Sequence, residues 1–204
     1  MLIIGITGGT GCGKTTALHQ VEELGGCVID CDAVYHGLLE SGGPMVEAIC
    51  ARFPAATAGG GFDRKSLGRV VFQDPEGLQA LSDMTAPFVV EAVQAILDAA
   101  EAEGCELAAV DAIGLCESGL QDLCDTTVAV LAPEEVRAAR LMAREGISEE
   151  YARLRIQAQK SNEEFAAMCE HVLMNDCASA EEFGGKCSHF FMELLKEKGT
   201  DGDD

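Results

Sequence analysis

The residues with the clearest chemical potential lie near the start of the chain. Gly8, Gly13, Lys14 and Thr15 fit the spacing G-x-x-x-x-G-K-[ST], between a short β-branched run and a segment with a helical pattern. Glycines in such a turn let backbone N–H groups face inward without a Cβ in the way. Those amides and the positive end of the following helix can hold an anion, and a glycine-rich turn that binds nothing is the less favoured alternative. The pattern therefore predicts a loop that binds the phosphates of a nucleoside triphosphate.

Individual residues of this loop have distinct expected roles. Lys14 is placed to reach the β- and γ-phosphates, and the hydroxyl of Thr15 is placed to bind Mg²⁺. A helix N-terminus could lower the pKa of the Cys12 thiol, but we assign that thiol no catalytic role. The expected nucleotide-binding positions in the loop are Gly11, Cys12, Gly13, Lys14, Thr15 and Thr16.

Aspartates mark the ends of two further strand-like segments. Asp30 and Asp32 end the run 27–32, and Asp111 lies at the end of the run 107–112. Ligands of open α/β sheets bind beyond the carboxyl ends of the strands. A phosphotransferase needs one acid to accept or orient the proton of the attacking hydroxyl and another to hold Mg²⁺, so Asp32 and Asp111 are candidates. Alternation along a strand would put Asp30 and Asp32 on one side, whereas Asp30 could equally cap the next helix.

Basic residues are concentrated in one part of the chain. Of 14 lysines and arginines, six fall between Arg137 and Lys160. Arg137, Arg140 and Arg144 recur at i, i+3 and i+7, so they share one face of a helix. Beside a phosphate loop, this segment predicts a lid that closes on phosphates and supplies arginines to the transition state. The alternative is a solvated face that pairs with nearby acids. Those acids are Glu145, Glu149 and Glu150.

Composition limits the partners. The 204 residues carry a formal net charge of −21, which argues against a nucleic-acid partner because phosphate backbones require basic surfaces. The charge does not argue against ATP, because distant charges are screened beyond about 8 Å at physiological salt. Ten cysteines without a C-x-x-C pair favour reduced, mostly buried thiols. We find no export signal and no apolar run long enough for a bilayer, so we expect a cytoplasmic protein without a membrane partner.

The order of secondary-structure patterns predicts an α/β fold. Several strand-like runs are apolar on both faces, as in a doubly wound parallel sheet covered by helices. The interval between residues 34 and 103 is too long for one crossover helix and predicts a helical insertion. The predicted strands are 2–7, 27–32, 107–112, 127–132 and 172–175, and the predicted helices include 15–24, 87–103, 133–144, 149–159 and 180–197. We expect a single domain with a core (1–36, 104–136 and 166–198), an insertion (37–103), a lid (137–165) and a disordered acidic tail (199–204).

With these residues assembled, the chain resembles the dephospho-coenzyme A kinases over nearly its full length. These are ATP-dependent enzymes of the last step of coenzyme A synthesis. Apart from the phosphate loop, no single motif is specific, but the order and spacing of the motifs are. The motifs are Val28–Asp32 with His36, Asp63–Lys65, Leu67–Arg69, Val71–Phe72, Asp74–Pro75, Asp111 with Leu115 and Glu117, Arg140–Arg144, Arg155, Gln159 and Asn175.

The resemblance implies a P-loop kinase core, a helical insertion that binds coenzyme A, and a lid. It implies that Asp32 acts at the ribose 3′-hydroxyl of the acceptor, dephospho-coenzyme A, and that His36 follows it near that site. It also implies that Lys14 and Arg140 stabilise the transferred phosphoryl group, and that Thr15 binds Mg²⁺. Arg144 joins the residues expected to bind ATP, and the oligomeric state is left open.

The chain departs from the family pattern in three places. Ala86 precedes Pro87 where a histidine is usual, and Ile113 and Gly114 differ from the usual pattern after Asp111. Phe165 stands where the family usually carries a basic residue late in the lid.

Two other functions compete with this one. A nucleoside or sugar kinase would share the core, and only the acceptor-side residues separate it. A nucleotide-dependent regulatory switch would explain why residues 111–114 fit the pattern D-x-x-G. The guanine-reading pattern N-K-x-D is absent from the sequence, however, and a switch would not need an arginine-rich lid.

Overall fold

Five strands form one sheet in the order β2-β3-β1-β4-β5 in the computed structural model, which describes residues 1–57 and 61–200. The strands are β1 (Leu2–Thr7), β2 (Cys27–Asp30), β3 (Leu107–Asp111), β4 (Thr126–Leu131) and β5 (His171–Met174). β1 pairs in parallel with β3 and β4, and β4 pairs in parallel with β5. All six residues of β4 are buried, as expected for a parallel strand covered on both faces. The predicted α/β class is confirmed.

The chain divides into two units, one formed by Met1–Ile29 with Leu97–Asp204 and the other by Asp30–Ile96. The first unit holds the sheet and α1 (Lys14–Glu23), α6 (Glu134–Glu145), α7 (Glu149–Gln157), α8 (Asn162–Met168) and α9 (Ala180–Thr200). Its core is built where α1 and α9 pack on the sheet, around Ile4, Val21, Val130 and Phe183. Helix α9 includes residues 199 and 200 of the expected disordered tail, and the rest of that tail lies outside the described residues.

The second unit is helical. It contains α2 (Cys31–Ser41), α3 (Pro44–Arg52), α4 (Arg64–Val71), a 3₁₀ turn (Pro54–Thr57) and most of α5 (Pro75–Ala102). Its own apolar cluster joins these helices through Leu39, Ile49, Leu67 and Leu81. Most of the predicted insertion, residues 37–103, falls in this unit. Residues 58–60 of the predicted insertion lie outside the described residues.

The predicted strand 27–32 is too long. β2 ends at Asp30, and α2 begins at Cys31, because the Asp30 carboxylate accepts a hydrogen bond from the Ala33 N–H at 3.0 Å and caps the helix. Strand alternation therefore does not relate Asp30 to Asp32, and that expectation was wrong. The alternative, that Asp30 is a helix cap, is confirmed. Asp32 lies exposed in the first turn of α2 rather than at a strand end.

Helix α5 begins twelve residues before the predicted start at Pro87. Proline lacks the N–H that would bond the carbonyl of Asp83 and is unfavourable within a helix by about 3 kcal/mol. Packing offsets this cost, because buried Leu81 and Val89 lie on either side of the proline at helical spacing. By length and composition, α5 is also long and apolar enough to cross a membrane. From the sequence we expected no apolar run of that length. Its buried positions recur every three or four residues, as in a helix packed on a protein core.

Helix α8 was not predicted, and Phe165 lies in the core instead of the predicted lid. Ser161 and Glu164 form a reciprocal capping box, in which the Glu164 N–H donates to Ser161 Oγ and Glu164 Oε2 accepts from the Ser161 N–H. The pattern S-x-x-E in the sequence was the available signal. Phe165 is 1% exposed and packs against Ala129 and Leu131 of β4. It belongs to the core rather than to a lid, because its ring fills a site on the sheet.

We expect Phe165→Ala to lower the free energy of unfolding by about 3–5 kcal/mol, because it removes a fully buried ring and leaves a cavity. Urea unfolding followed by far-UV circular dichroism measures this change. The matched control is Phe72→Ala, since Phe72 is 79% exposed and its loss should change stability by no more than about 0.5 kcal/mol. Equal effects of the two substitutions would contradict the assignment of Phe165 to the core.

Candidate active site

The loop between β1 and α1 has a backbone that only glycine adopts readily. Gly8 and Gly13 have φ angles of 145° and 106°, and Gly13 is the N-cap of α1. A Cβ at Gly8 would clash with the carbonyl oxygen of Val130, and one at Gly13 would clash with the side chain of Asn175. The neighbouring strand and the residue that follows β5 therefore enclose the loop closely enough to demand glycine at both positions.

The loop lines a cleft of about 350 Å³, within the range of small-molecule sites. Four cationic side chains reach this cleft, so it is locally basic in a strongly acidic chain. Of the predicted nucleotide-binding residues, Thr16 lies in α1 outside this lining. The lining residues are Gly8 to Thr15, Ile113, Arg140, Arg144, Arg155 and Gln159.

Lys14, which lines the cleft, forms an ion pair with Asp111. Lys14 Nζ lies 2.5 Å from Asp111 Oδ1, and the two side chains are only 18% and 17% exposed. Asp111 is the last residue of β3, beside β1, which runs into the loop. The predicted position of Asp111 at a strand end is therefore correct. Its contact with Lys14 holds the ammonium group beside the loop.

The arginines of α6 contact the backbone of the loop. Arg140 donates from Nη1 to the carbonyls of Gly11 and Cys12 at 3.2 and 3.3 Å, and from Nη2 to Asn175 Oδ1 at 3.0 Å. Arg137, which we had not placed in the site, donates from Nε to the carbonyl of Thr10 at 2.9 Å. It is 3% exposed, and burial lowers the pKa of its guanidinium, which nevertheless stays protonated.

The outer part of the arginine-rich segment pairs with acids. Arg144 and Arg155 both bind the carboxylate of Glu145, and these hydrogen bonds lower its pKa. Arg153 pairs with Glu149 and with a second glutamate, Glu134. The outer arginines thus pair with acids, as the alternative interpretation expects, whereas Arg137 and Arg140 contact the backbone of the loop.

The side chain of Cys12 packs in the core, although the residue belongs to the loop that lines the cleft. Burial raises the pKa of its thiol, so that the thiol is neutral at physiological pH. The expectation that the helix N-terminus could lower this pKa is wrong. No disulfide occurs among the described residues, as expected for reduced thiols. Only three of the ten cysteines are fully buried, fewer than expected.

The described residues contain no group of three or more His, Cys, Asp or Glu side chains suited to a metal ion. Thr15 is exposed at the start of α1 and lines the cleft.

The second unit carries its own basic surface. Three of its four lysines and arginines lie on α4, where they line a cleft of about 580 Å³ together with the exposed ring of Phe72. Arg64 also donates to His36 Nε2 at 2.7 Å, which connects the middle of α2, one turn after Asp32, with α4. The basic residues of this surface are Arg64, Lys65 and Arg69.

A parallel sheet whose first strand leads into this glycine loop, with a lysine and arginines around the cleft, defines a P-loop phosphotransferase. The sequence model of one such family, described as dephospho-CoA kinase, matches residues 2–181. The chain belongs to the dephospho-CoA kinase family, and the resemblance inferred from the sequence is confirmed.

Individual relatives agree with this assignment. A dephospho-CoA kinase of Anaeromyxobacter dehalogenans (strain 2CP-C) is 35% identical over 201 residues, which cover 98% of this chain and 95% of that protein. A crystal structure from Thermus thermophilus has a TM-score of 0.76 and 33% identity, with coverage of 96% and 97%. A dephospho-CoA kinase from Campylobacter jejuni has a TM-score of 0.67 at 24% identity, covers 96% and 98%, and supports the fold.

We expect Lys14→Ala to lower the turnover number by about 10²–10³. This is the typical loss when an enzyme loses one preorganised group that stabilises the charge developing in the transition state. Steady-state release of ADP measures the change. The fold should persist, because Lys14 lines the cleft and does not belong to the apolar core, and thermal unfolding checks this. A rate within a few-fold of the parent chain would show that this loop is not the catalytic one.

Proposed function

We propose that this protein transfers the γ-phosphoryl group of ATP to the ribose 3′-hydroxyl of dephospho-coenzyme A, giving coenzyme A and ADP. One observation carries the proposal: a glycine loop, Lys14 and the lid arginines meet in a single cleft, in a chain of the dephospho-CoA kinase family. The family assignment also weighs against the competing kinases and the regulatory switch.

The cleft contains the residues that would bind ATP, the phosphoryl donor. The loop amides would hold the β- and γ-phosphates, and Lys14, positioned by Asp111, would meet the charge that develops between them. Thr15 would hold Mg²⁺, which neutralises phosphate charge when bound. Arg140 would stabilise the transferring group, since a planar guanidinium matches its equatorial oxygens, and Arg144 would contribute a further contact to ATP.

Asp32 is the proposed base. Its carboxylate is exposed in the first turn of α2, immediately after β2, and would accept the proton of the 3′-hydroxyl as that oxygen attacks phosphorus. Asp111 is the other candidate, but its contact with Lys14 gives it a different task. The proton passes from hydroxyl to carboxylate, and the bond to ADP breaks as the bond to the ribose oxygen forms.

The basic surface of α4 is the proposed contact for the acceptor. Dephospho-coenzyme A carries a diphosphate, and Lys65 and Arg69 supply cationic groups for it in a unit that is otherwise poor in them. The exposed ring of Phe72 beside them would cover an apolar or aromatic part of the same molecule.

We also propose a cytoplasmic location, supported by the absence of disulfides in the described residues.

The identity of the product tests the proposed function. Incubation with Mg²⁺-ATP and dephospho-coenzyme A should yield ADP and a product with one added phosphate, which mass spectrometry detects and NMR places on the 3′-oxygen. Adenosine, other nucleosides and gluconate serve as comparison acceptors and should react poorly. A folded protein that leaves dephospho-coenzyme A unmodified, or that prefers a comparison acceptor, would refute the assignment.

We expect Asp32→Asn to lower turnover by roughly 10² or more while ATP still binds, because the amide keeps the shape but cannot accept the proton. The matched control is Asp30→Asn. An asparagine caps a helix as well as an aspartate does, so this neighbour should keep both the start of α2 and the rate. Loss of ATP affinity in Asp32→Asn would place Asp32 at the metal, and an unchanged rate would transfer the role to Asp111.

A further inference from the structure

We propose that Asn175 is a positioning residue that sets the orientation of the phosphate-loop peptides and of Arg140. The inference rests on the proposed function for its kinetic consequences, but its effect on nucleotide binding can be measured without any acceptor.

Three consecutive carbonyls of the loop are bonded by side chains from elsewhere in the first unit. The carbonyl of Thr10 accepts from Arg137, that of Gly11 from Arg140, and that of Cys12 from both Arg140 and Asn175. The Asn175 contact is the shortest of these, at 2.8 Å from Nδ2 to the Cys12 oxygen. The loop is therefore held through its carbonyls.

Holding a carbonyl also orients an amide. In a planar trans peptide, the C=O of one residue and the N–H of the next point in opposite directions. When Asn175 fixes the Cys12 carbonyl, the N–H of Gly13 is turned to the other side, and Arg137 does the same for the N–H of Gly11 through the Thr10 carbonyl. Gly11 and Gly13 both line the cleft. These contacts therefore preorganise loop amides for phosphate.

Asn175 is itself held firmly in place. It directly follows β5, its backbone N–H donates to the carbonyl of Leu131 at 2.7 Å, and the residue is 2% exposed. Both polar atoms of its side-chain amide are used, since Nδ2 donates to the Cys12 carbonyl and Oδ1 accepts from Arg140. Aspartate could keep the contact with Arg140 but not the one with Cys12, and an apolar residue would lose both contacts.

The test compares two asparagines. Asn175→Asp keeps the acceptor for Arg140 but sets a carboxylate oxygen against the Cys12 carbonyl, which should turn that peptide. Asn162→Asp is the matched control, because Asn162 Nδ2 also donates to a backbone carbonyl, that of Ala132, at 3.0 Å, and it does not line the cleft. ADP affinity by calorimetry should fall roughly 10- to 100-fold in Asn175→Asp, the usual range for a lost buried hydrogen bond. It should stay within about threefold in the control.

A second measurement separates positioning from general stability. If Asn175 acts through Arg140 and the loop, the turnover losses of Asn175→Asp and Arg140→Lys should not add in the double variant. Additive losses would indicate a merely structural role and overturn the inference. Should Asn175→Asp fail to fold, Asn175→Ser, which introduces no charge, takes its place and should show the same loss of ADP affinity.

The two proposals can fail separately. If the parent chain phosphorylates dephospho-coenzyme A but Asn175→Asp and Asn175→Ser bind ADP normally, the role of Asn175 is wrong and the proposed function stands. If the parent chain leaves that acceptor unmodified while the folded variants lose ADP affinity, the proposed function is wrong and the role of Asn175 in the loop is supported.

Discussion

The hydrogen bonds from Arg137, Arg140 and Asn175 to the carbonyls of residues 10–12 join segments that lie between 127 and 163 positions apart in the chain. When backbone N–H groups bind an anion, the carbonyls of the same peptides need hydrogen-bond donors from other parts of the protein. A buried carbonyl without such a donor is costly in free energy. The order of the sheet meets this requirement. It places β4 and β5 on one side of β1, so that α6, which follows β4, and Asn175, which follows β5, both reach the loop.

Local charge explains how a chain with a formal net charge of −21 presents a site for phosphates. The cleft is lined by Lys14 and three arginines, while Arg153 and Lys160 pair with glutamates outside this lining. Fields from distant carboxylates are screened over about 8 Å, whereas charges within the cleft act at close range. Glu145 holds Arg144 and Arg155 at the same cleft, so an acid also helps to organise the cationic lining.

Much of the fold followed from patterns that act over short distances in the chain. Short apolar, strand-like runs predicted all five strands, with errors of at most two residues at an end, and the helical patterns predicted α1, α6, α7 and α9. The errors have physical causes. Asp30 ends β2 early because its carboxylate caps α2, and α5 continues through Pro87 because packing on both sides outweighs one lost hydrogen bond. The short helix α8 was missed although its capping box is present in the sequence.

The sequence by itself determined the phosphate loop, because positive φ angles at Gly8 and Gly13 and the spacing to Lys14 are local requirements. It also placed Asp111 at a strand end and identified the family. Only the tertiary structure decided which side chains serve the loop. Arg137 and Asn175 reach it through strand order, and Phe165 enters the core rather than a lid. Such contacts join residues far apart in the chain, so no local pattern contains them, and their geometry is fixed only when the sheet has formed.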